Sequence, residues 1–247
     1  MKAVYKYKLA ALSSAFLLLA LVVMLMGRKV DAAPPSGTSI TGTVKLNGTP
    51  PPEKVIDMSA EPSCAKEHAR NSLKAERVVV GPNGGLQNVV IYVSQGLSGN
   101  EAPSTEVQTW NQKGCQYIPH VLALNPGQHF KVENSDQTSH NVHPQPRNNS
   151  EWNKSQPPGS PPFDLTWANP EVPIVVKCNI HPWMRGYMAV VKGPYAVTDN
   201  SGAFRLDGLA PGSYTLTAWQ EEYGTQTQRV TVAAGKPTAV SFTYKAK

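Results

Sequence analysis

Val175-Val-Lys-Cys-Asn-Ile-His-Pro-Trp-Met-Arg-Gly-Tyr187 places a thiol, an imidazole and a thioether at a Cys-x-x-His-x-x-Met spacing. The donors are Cys178, His181 and Met184. A β-branched run leads in and Tyr187-Met-Ala-Val-Val191 leads out, so the pattern predicts strand, tight loop, strand. Upstream, Ser139-His-Asn-Val-His143 brings two more imidazoles. His143 is three residues from His140, an odd offset that on a strand turns it to the opposite face.

Outward from this stretch the chain keeps a β texture. Glycine and proline are frequent, helical periodicity is scarce, and short alternating segments are separated by turn residues. Ile40-Thr-Gly-Thr-Val-Lys-Leu-Asn-Gly48 is predicted as a strand ending in a turn, and Leu86 to Val93 as a second strand. Val121 to Asn134 is predicted as a hairpin about Asn125-Pro-Gly127. Phe163 to Trp167, Ile174 to Val176 and Tyr187 to Val191 follow. Beyond Gly193-Pro194, strands recur at roughly ten-residue spacing, the pattern of a small sandwich. Glu61 to Ala75 reads as a short helix or an irregular loop. Pro144 to Pro162 reads as a long exposed loop, covering the site or extending away from it. The fold class is all-β.

The chain of 247 residues opens on a basic segment, Met1 to Lys8, and an apolar run over residues 9–27. Val30-Asp-Ala-Ala33 fits a signal-peptidase site. The run also approaches membrane-spanning length. Residues 1–33 are therefore a signal peptide or an uncleaved N-terminal anchor, and either places the folded part outside the cytoplasm. The expected location is periplasmic or secreted, with membrane attachment only if cleavage fails. The formal charge of +6 is largely the leader's. Without Lys2, Lys6, Lys8, Arg28, Lys29 and Asp31, 18 basic residues of the 23 and 16 acidic of the 17 remain. That balance gives no reason to expect a nucleic-acid partner.

One thiolate, two imidazoles and a weak axial thioether are the donor set of a mononuclear blue-copper site. Cys178-Asn-Ile-His-Pro-Trp-Met-Arg-Gly186 resembles the metal loop of the cupredoxins, and within them the amicyanins. His140-Asn-Val-His143 and Gly127-Gln-His-Phe-Lys-Val-Glu-Asn134 resemble the segments around and before that family's first copper histidine. The resemblance covers roughly residues 117 to 192. It implies a Greek-key β-sandwich holding one type 1 copper ion on His140, Cys178, His181 and Met184. It also implies that Asn141 braces the cysteine loop. The interval from His140 to Cys178 is longer here than in the family, because of the Pro144 to Pro162 segment. In cupredoxins the loop histidine reaches the surface through an apolar patch where redox partners dock. Pro182 and Trp183 follow His181, and Trp183 is read either as part of such a patch or as ordinary core.

Cys64 and Cys115 lie outside this set. In an exported chain they most simply form a disulfide, and closing a loop of about 50 residues contributes about 4 kcal/mol in the chain-entropy model. A second metal site, with His68 beside Cys64 and His120 beside Cys115, is the alternative, as are free thiols. Gly42-Thr-Val-Lys-Leu-Asn-Gly-Thr-Pro50 and Thr198-Asp-Asn-Ser-Gly-Ala-Phe-Arg-Leu-Asp-Gly-Leu-Ala-Pro-Gly-Ser-Tyr214 resemble a carboxypeptidase-regulatory-like domain. That family is a small transthyretin-like sandwich without chemistry of its own. The expected division is 38–192 for the copper module and 193–247 for the second sandwich. Residues 195–247 are short for a complete one, so strand 40–46 is expected to join it with the copper module inserted between; the competing arrangement puts residues 38–93 in the copper sheet.

The first functional expectation is a one-electron carrier rather than an enzyme. Its partner would be a dehydrogenase, a cytochrome or another copper protein. The second is a copper storage or delivery protein, and the third a scaffold in which copper is incidental. No Ser-His-Asp arrangement, phosphate loop or HExxH motif is present. His68, His120 and His129 are not spaced as the further copper centre that an oxidase or nitrite reductase requires.

Overall fold

Alternation of apolar and polar residues along short β-branched segments sets the architecture. The computed structural model describes residues 38–99 and 101–247, and the leader or anchor expected over residues 1–33 lies outside them. The strands are Ser39–Asn47 (β1), Val90–Gln95 (β2), Gln108–Gln112 (β3), Tyr117–Ile118 (β4), Val121–Leu124 (β5), Phe130–Asn134 (β6), His140–Gln145 (β7) and Lys154–Gln156 (β8). Phe163–Leu165 (β9), Glu171–Lys177 (β10), Arg185–Val190 (β11), Tyr195–Val197 (β12), Ala203–Asp207 (β13), Gly212–Gln220 (β14), Gly224–Val232 (β15) and Thr238–Lys245 (β16) follow. A short helix, Pro62–Glu67 (α1), interrupts the connection from β1 to β2.

Two sheets, ordered β5-β11-β10-β7-β8 and β4-β3-β6-β9, enclose a core that includes Trp110, Phe130, Val142, Ile174 and Met188. Two others, β13-β1-β16 and β12-β2-β14-β15, enclose a second core around Ile40, Leu86, Ile91, Leu216 and Phe242. The strand at 40–46 therefore pairs far down the chain. β1 runs antiparallel to β13, with Ile40 opposite Leu206, and parallel to β16, with Val44 opposite Phe242. β2 also joins this sandwich, between β12 and β14. Residues 108–190 form the other module, between strands that return to the same sandwich.

A third cluster joins the modules. It contains Val90 of β2, Val121 and Ala123 of β5, Tyr187 and Ala189 of β11, and Trp219 of β14. Period-2 alternation explains it. Met188 and Val190 of β11 face the core that holds Cys178 while Tyr187 and Ala189 face the sandwich. Ile91 and Val93 of β2 face inward while Val90 faces the junction. Each valine, isoleucine or methionine among them contributes about 1.5–3 kcal/mol at full burial. The strand that follows the Cys178 loop is thus buried on both faces.

Two expectations are corrected. β5 and β6 are not a hairpin, because they lie in different sheets, paired parallel with β11 and β3 respectively. Asn125 makes a corner there, its side-chain amide donating to the carbonyls of Val191 and Gly193. The Pro144 to Pro162 segment is not wholly loop. β8 turns back to pair with β7, His140 opposite Gln156. Buried Gln156 explains the return, since its amide donates to the Val132 and Pro161 carbonyls and its oxygen accepts from Gln112.

Candidate metal centre

β7 and the loop between β10 and β11 meet at one point. β10 pairs with β7, placing Lys177 opposite His143, and with β11, placing Lys177 opposite Arg185. The Cys178 loop therefore turns over directly beside His140. Two backbone hydrogen bonds close that loop, Cys178 N–H to the Met184 carbonyl at 3.1 Å and Met184 N–H to the His181 carbonyl at 2.9 Å.

Three of the expected donors converge. His140 Nδ1 and His181 Nδ1 lie 2.9 Å apart, and Cys178 Sγ is 3.7 Å from His181 Nδ1. All three side chains are buried, and their donor atoms fall within 4.8 Å of one another. Met184, also buried, shares the Cys178 core cluster. The Asn141 backbone N–H points at Cys178 Sγ at 3.5 Å. Its side-chain oxygen accepts the Asn179 N–H, and its amide donates to Asn153 Oδ1 of the returning segment. His143 stands outside the cluster, between Asn179 and Glu151.

Asp136 was not singled out from the sequence, yet it fixes the first histidine. Its Oδ2 accepts from His140 Nε2 at 2.8 Å, and its two oxygens also accept the N–H groups of Gly114 and Cys115. A carboxylate can only accept here, so His140 keeps a proton on Nε2 and turns Nδ1 to the cluster. The signal was local, an acid four residues before a histidine. Glu61, with Oε2 3.9 Å from His181 Nε2, gave no sequence signal across 120 positions.

The electrostatics favour a cation at this point. Burial opposes charge on His140, but the hydrogen bonds and charges of Asp136 and Cys178 outweigh it and push its pKa up to about 9. Burial likewise opposes the Cys178 thiolate, but His140 and the N–H groups of Asn141, His181 and Ile180 bring its pKa down. Burial and the charge of His140 depress His181. The buried His181 Nε2 has no hydrogen-bond partner. A soft anion and two convergent imidazole nitrogens, closed to water, suit a thiophilic transition-metal ion.

Over this cluster lies a strap. Val55 bridges Lys74, and Ile56 N–H bonds to the Leu73 carbonyl, closing a loop that contains α1. Cys64 of α1 is disulfide-bonded to Cys115, and both are buried with Met58. Trp183 packs against this group, its indole N–H donating to the Cys115 carbonyl at 3.2 Å, with its ring 5.3 Å from that of His181. Pro182 is exposed and Trp183 half-buried. The histidines near the cysteines are otherwise occupied. His68 bonds the Gly114 carbonyl and His120 bonds Glu221. Among the described residues, no metal-capable cluster contains either.

Fold and cluster together define an all-β protein of two sandwich modules with a buried Cys-His-His centre. Residues 190–245 match the family model of the carboxypeptidase regulatory-like domain. No curated protein matches the chain. Among solved structures, similarity is found to a copper-containing nitrite reductase from Thermus scotoductus SA-01, with 19% identity, 39% of this chain and 25% of that chain covered, and TM-score 0.33. A purple cupredoxin from Nitrosopumilus maritimus gives 18% identity over 34% of this chain and 99% of that one, TM-score 0.29. Amicyanin from Paracoccus versutus gives 16% identity over 41% and 97%, TM-score 0.31.

Proposed function

We propose that this chain is an exported protein holding one type 1 copper ion and passing single electrons between partners. The observation that carries the reading is the convergence of His140 Nδ1, His181 Nδ1 and Cys178 Sγ at one buried point. Copper, when bound, supplies the one-electron couple. The residues do the remainder. Asp136 holds the His140 tautomer, Asn141 ties the cysteine loop to β7, and the two loop hydrogen bonds fix Cys178 relative to Met184. Met184 is assigned as the weak axial donor. Core packing around Cys178 and Met184 excludes water, so the donors need little rearrangement between oxidation states.

The partner in this reading is a dehydrogenase, a cytochrome or another copper protein outside the cytoplasm. A second reading, copper storage or delivery, is favoured by the burial of His181 beneath the strap, which closes the face that the resemblance expected to be open. Measurement of self-exchange on the copper-loaded protein, together with copper loss to a chelator, separates the two. Reversible voltammetry and exchange faster than copper loss support the carrier. An irreversible couple with ready transfer to the chelator supports delivery.

A further inference from the structure

The imidazole of His181 has two faces. Nδ1 is turned to His140 and Cys178, and Nε2 is turned to the strap, 3.9 Å from Glu61 Oε2. That second nitrogen is buried and without a hydrogen-bond partner. A buried polar atom left in this way is costly unless a ligand satisfies it. On the strap side the sulfurs of Cys64 and Cys115 and a ring nitrogen of His181 lie within 4.8 Å of one another, all buried.

Cys115 is held in an unusual state. Its φ is +54° and that of Gly114 is +63°. A non-glycine residue persists in the left-handed region only where its surroundings hold it there. The Asp136 carboxylate holds this turn through both N–H groups, and the same carboxylate holds His140. The turn bearing the second sulfur is thereby tied to His140 by contacts that do not run through the disulfide. A cavity of about 180 Å³, lined by Cys115, Trp183, Met184, His120 and Glu221 among others, gives access from the adjacent side.

We propose that Cys64, Cys115 and His181, with Glu61 beside them, form a latent site for a soft cation such as Cu(I), opened when the Cys64–Cys115 disulfide is reduced. A dithiol reductant gives two electrons and two protons to the disulfide and leaves as its own disulfide, and two thiols result. Each thiol releases its proton as the cation binds. Two thiolates and an imidazole favour Cu(I) over harder ions. His181 would then face a metal site on each side. The inference goes beyond the copper reading and shares only this residue with it.

The test uses the full folded chain under anaerobic conditions, with Cu(I) supplied as its bicinchoninate complex. The disulfide form is expected to take one Cu(I) per chain. After treatment with dithiothreitol and desalting, the same protein is expected to take two, with an added sulfur shell in X-ray absorption. Cys64→Ser/Cys115→Ser is expected to take one with or without the dithiol. A reduced protein that takes no more than the disulfide form overturns the proposal. So does a second ion that persists in the double variant, or loss of the near-UV circular dichroism on reduction. Should the disulfide form take none, the copper reading fails by itself. A dithiol-dependent ion that is absent from the double variant would still uphold the latent site.

Discussion

Asp136 Oδ2 accepts the Nε2 hydrogen of His140 at 2.8 Å, and both side chains are almost wholly shut off from solvent. Against the opposing effect of burial, this contact and Cys178 together raise the His140 pKa to about 9, so a proton competes with a metal ion for the site at neutral pH. His140 is protonated below that value and neutral above it. Copper affinity is therefore expected to rise from pH 7 towards pH 9 and then level. Asp136→Asn removes the charge that holds the proton. Its plateau should begin at lower pH, while its affinity at the plateau falls about 10–100-fold. Competition titrations across pH check both. An unchanged profile in the variant contradicts the role given to Asp136.

Asn141 connects β7, the cysteine loop and the returning segment through Asn179 and Asn153. Asn141→Ala leaves the Asn179 N–H and the Asn153 oxygen without their partner. A loss of about 1–3 kcal/mol in unfolding free energy is expected, together with broadened copper signals in EPR. Chemical denaturation and EPR on the loaded variant read the two effects. A sharp, unaltered spectrum would show that the loop is held by other contacts.

Removal of the disulfide acts mainly on the unfolded chain. The cysteines are 51 positions apart, so Cys64→Ser/Cys115→Ser is expected to cost about 4 kcal/mol in the chain-entropy model. The urea midpoint should drop while the slope stays nearly constant. The blue absorption of the loaded protein should survive, because neither sulfur belongs to the Cys178 centre. Loss of colour in this variant would place the strap within the centre.

Gly42 lies where β1 is squeezed between β13 and β16. A Cβ there would run into the Val240 carbonyl oxygen and the ring of Phe204. Backbone cannot yield as a flexible side chain does, so Gly42→Ala is expected to cost about 1–3 kcal/mol or more. A melting temperature equal to that of the parent would contradict the pairing of the first strand with the last.

The cluster of His140, Cys178 and His181 was legible in sequence where its spacing is local. Cys178, His181 and Met184 belong to one loop, and His140 lies in a motif carrying its own neighbours. Asp136 was legible in principle, four residues before His140, but an acid in a turn has many uses. Glu61 and the strap were not, since their position follows from a disulfide and from packing on Trp183, which no local pattern encodes. The β5–β6 misreading has the same origin. A Pro-Gly turn between alternating strands looks alike whether the strands pair with each other or cross between sheets. Membership of β1 in the far sandwich is legible only from the resemblance of residues 42–50 and from residues 195–247 being short for a complete domain, neither of which is a periodicity.

Titration of the purified full chain with Cu(II), followed by visible absorption and EPR, bears most directly on the copper centre. One equivalent per chain with an intense thiolate-to-copper band and a narrow parallel hyperfine splitting is the expected result, lost in Cys178→Ser. Colourless binding, or a spectrum of copper bound by nitrogen and oxygen alone, would contradict it.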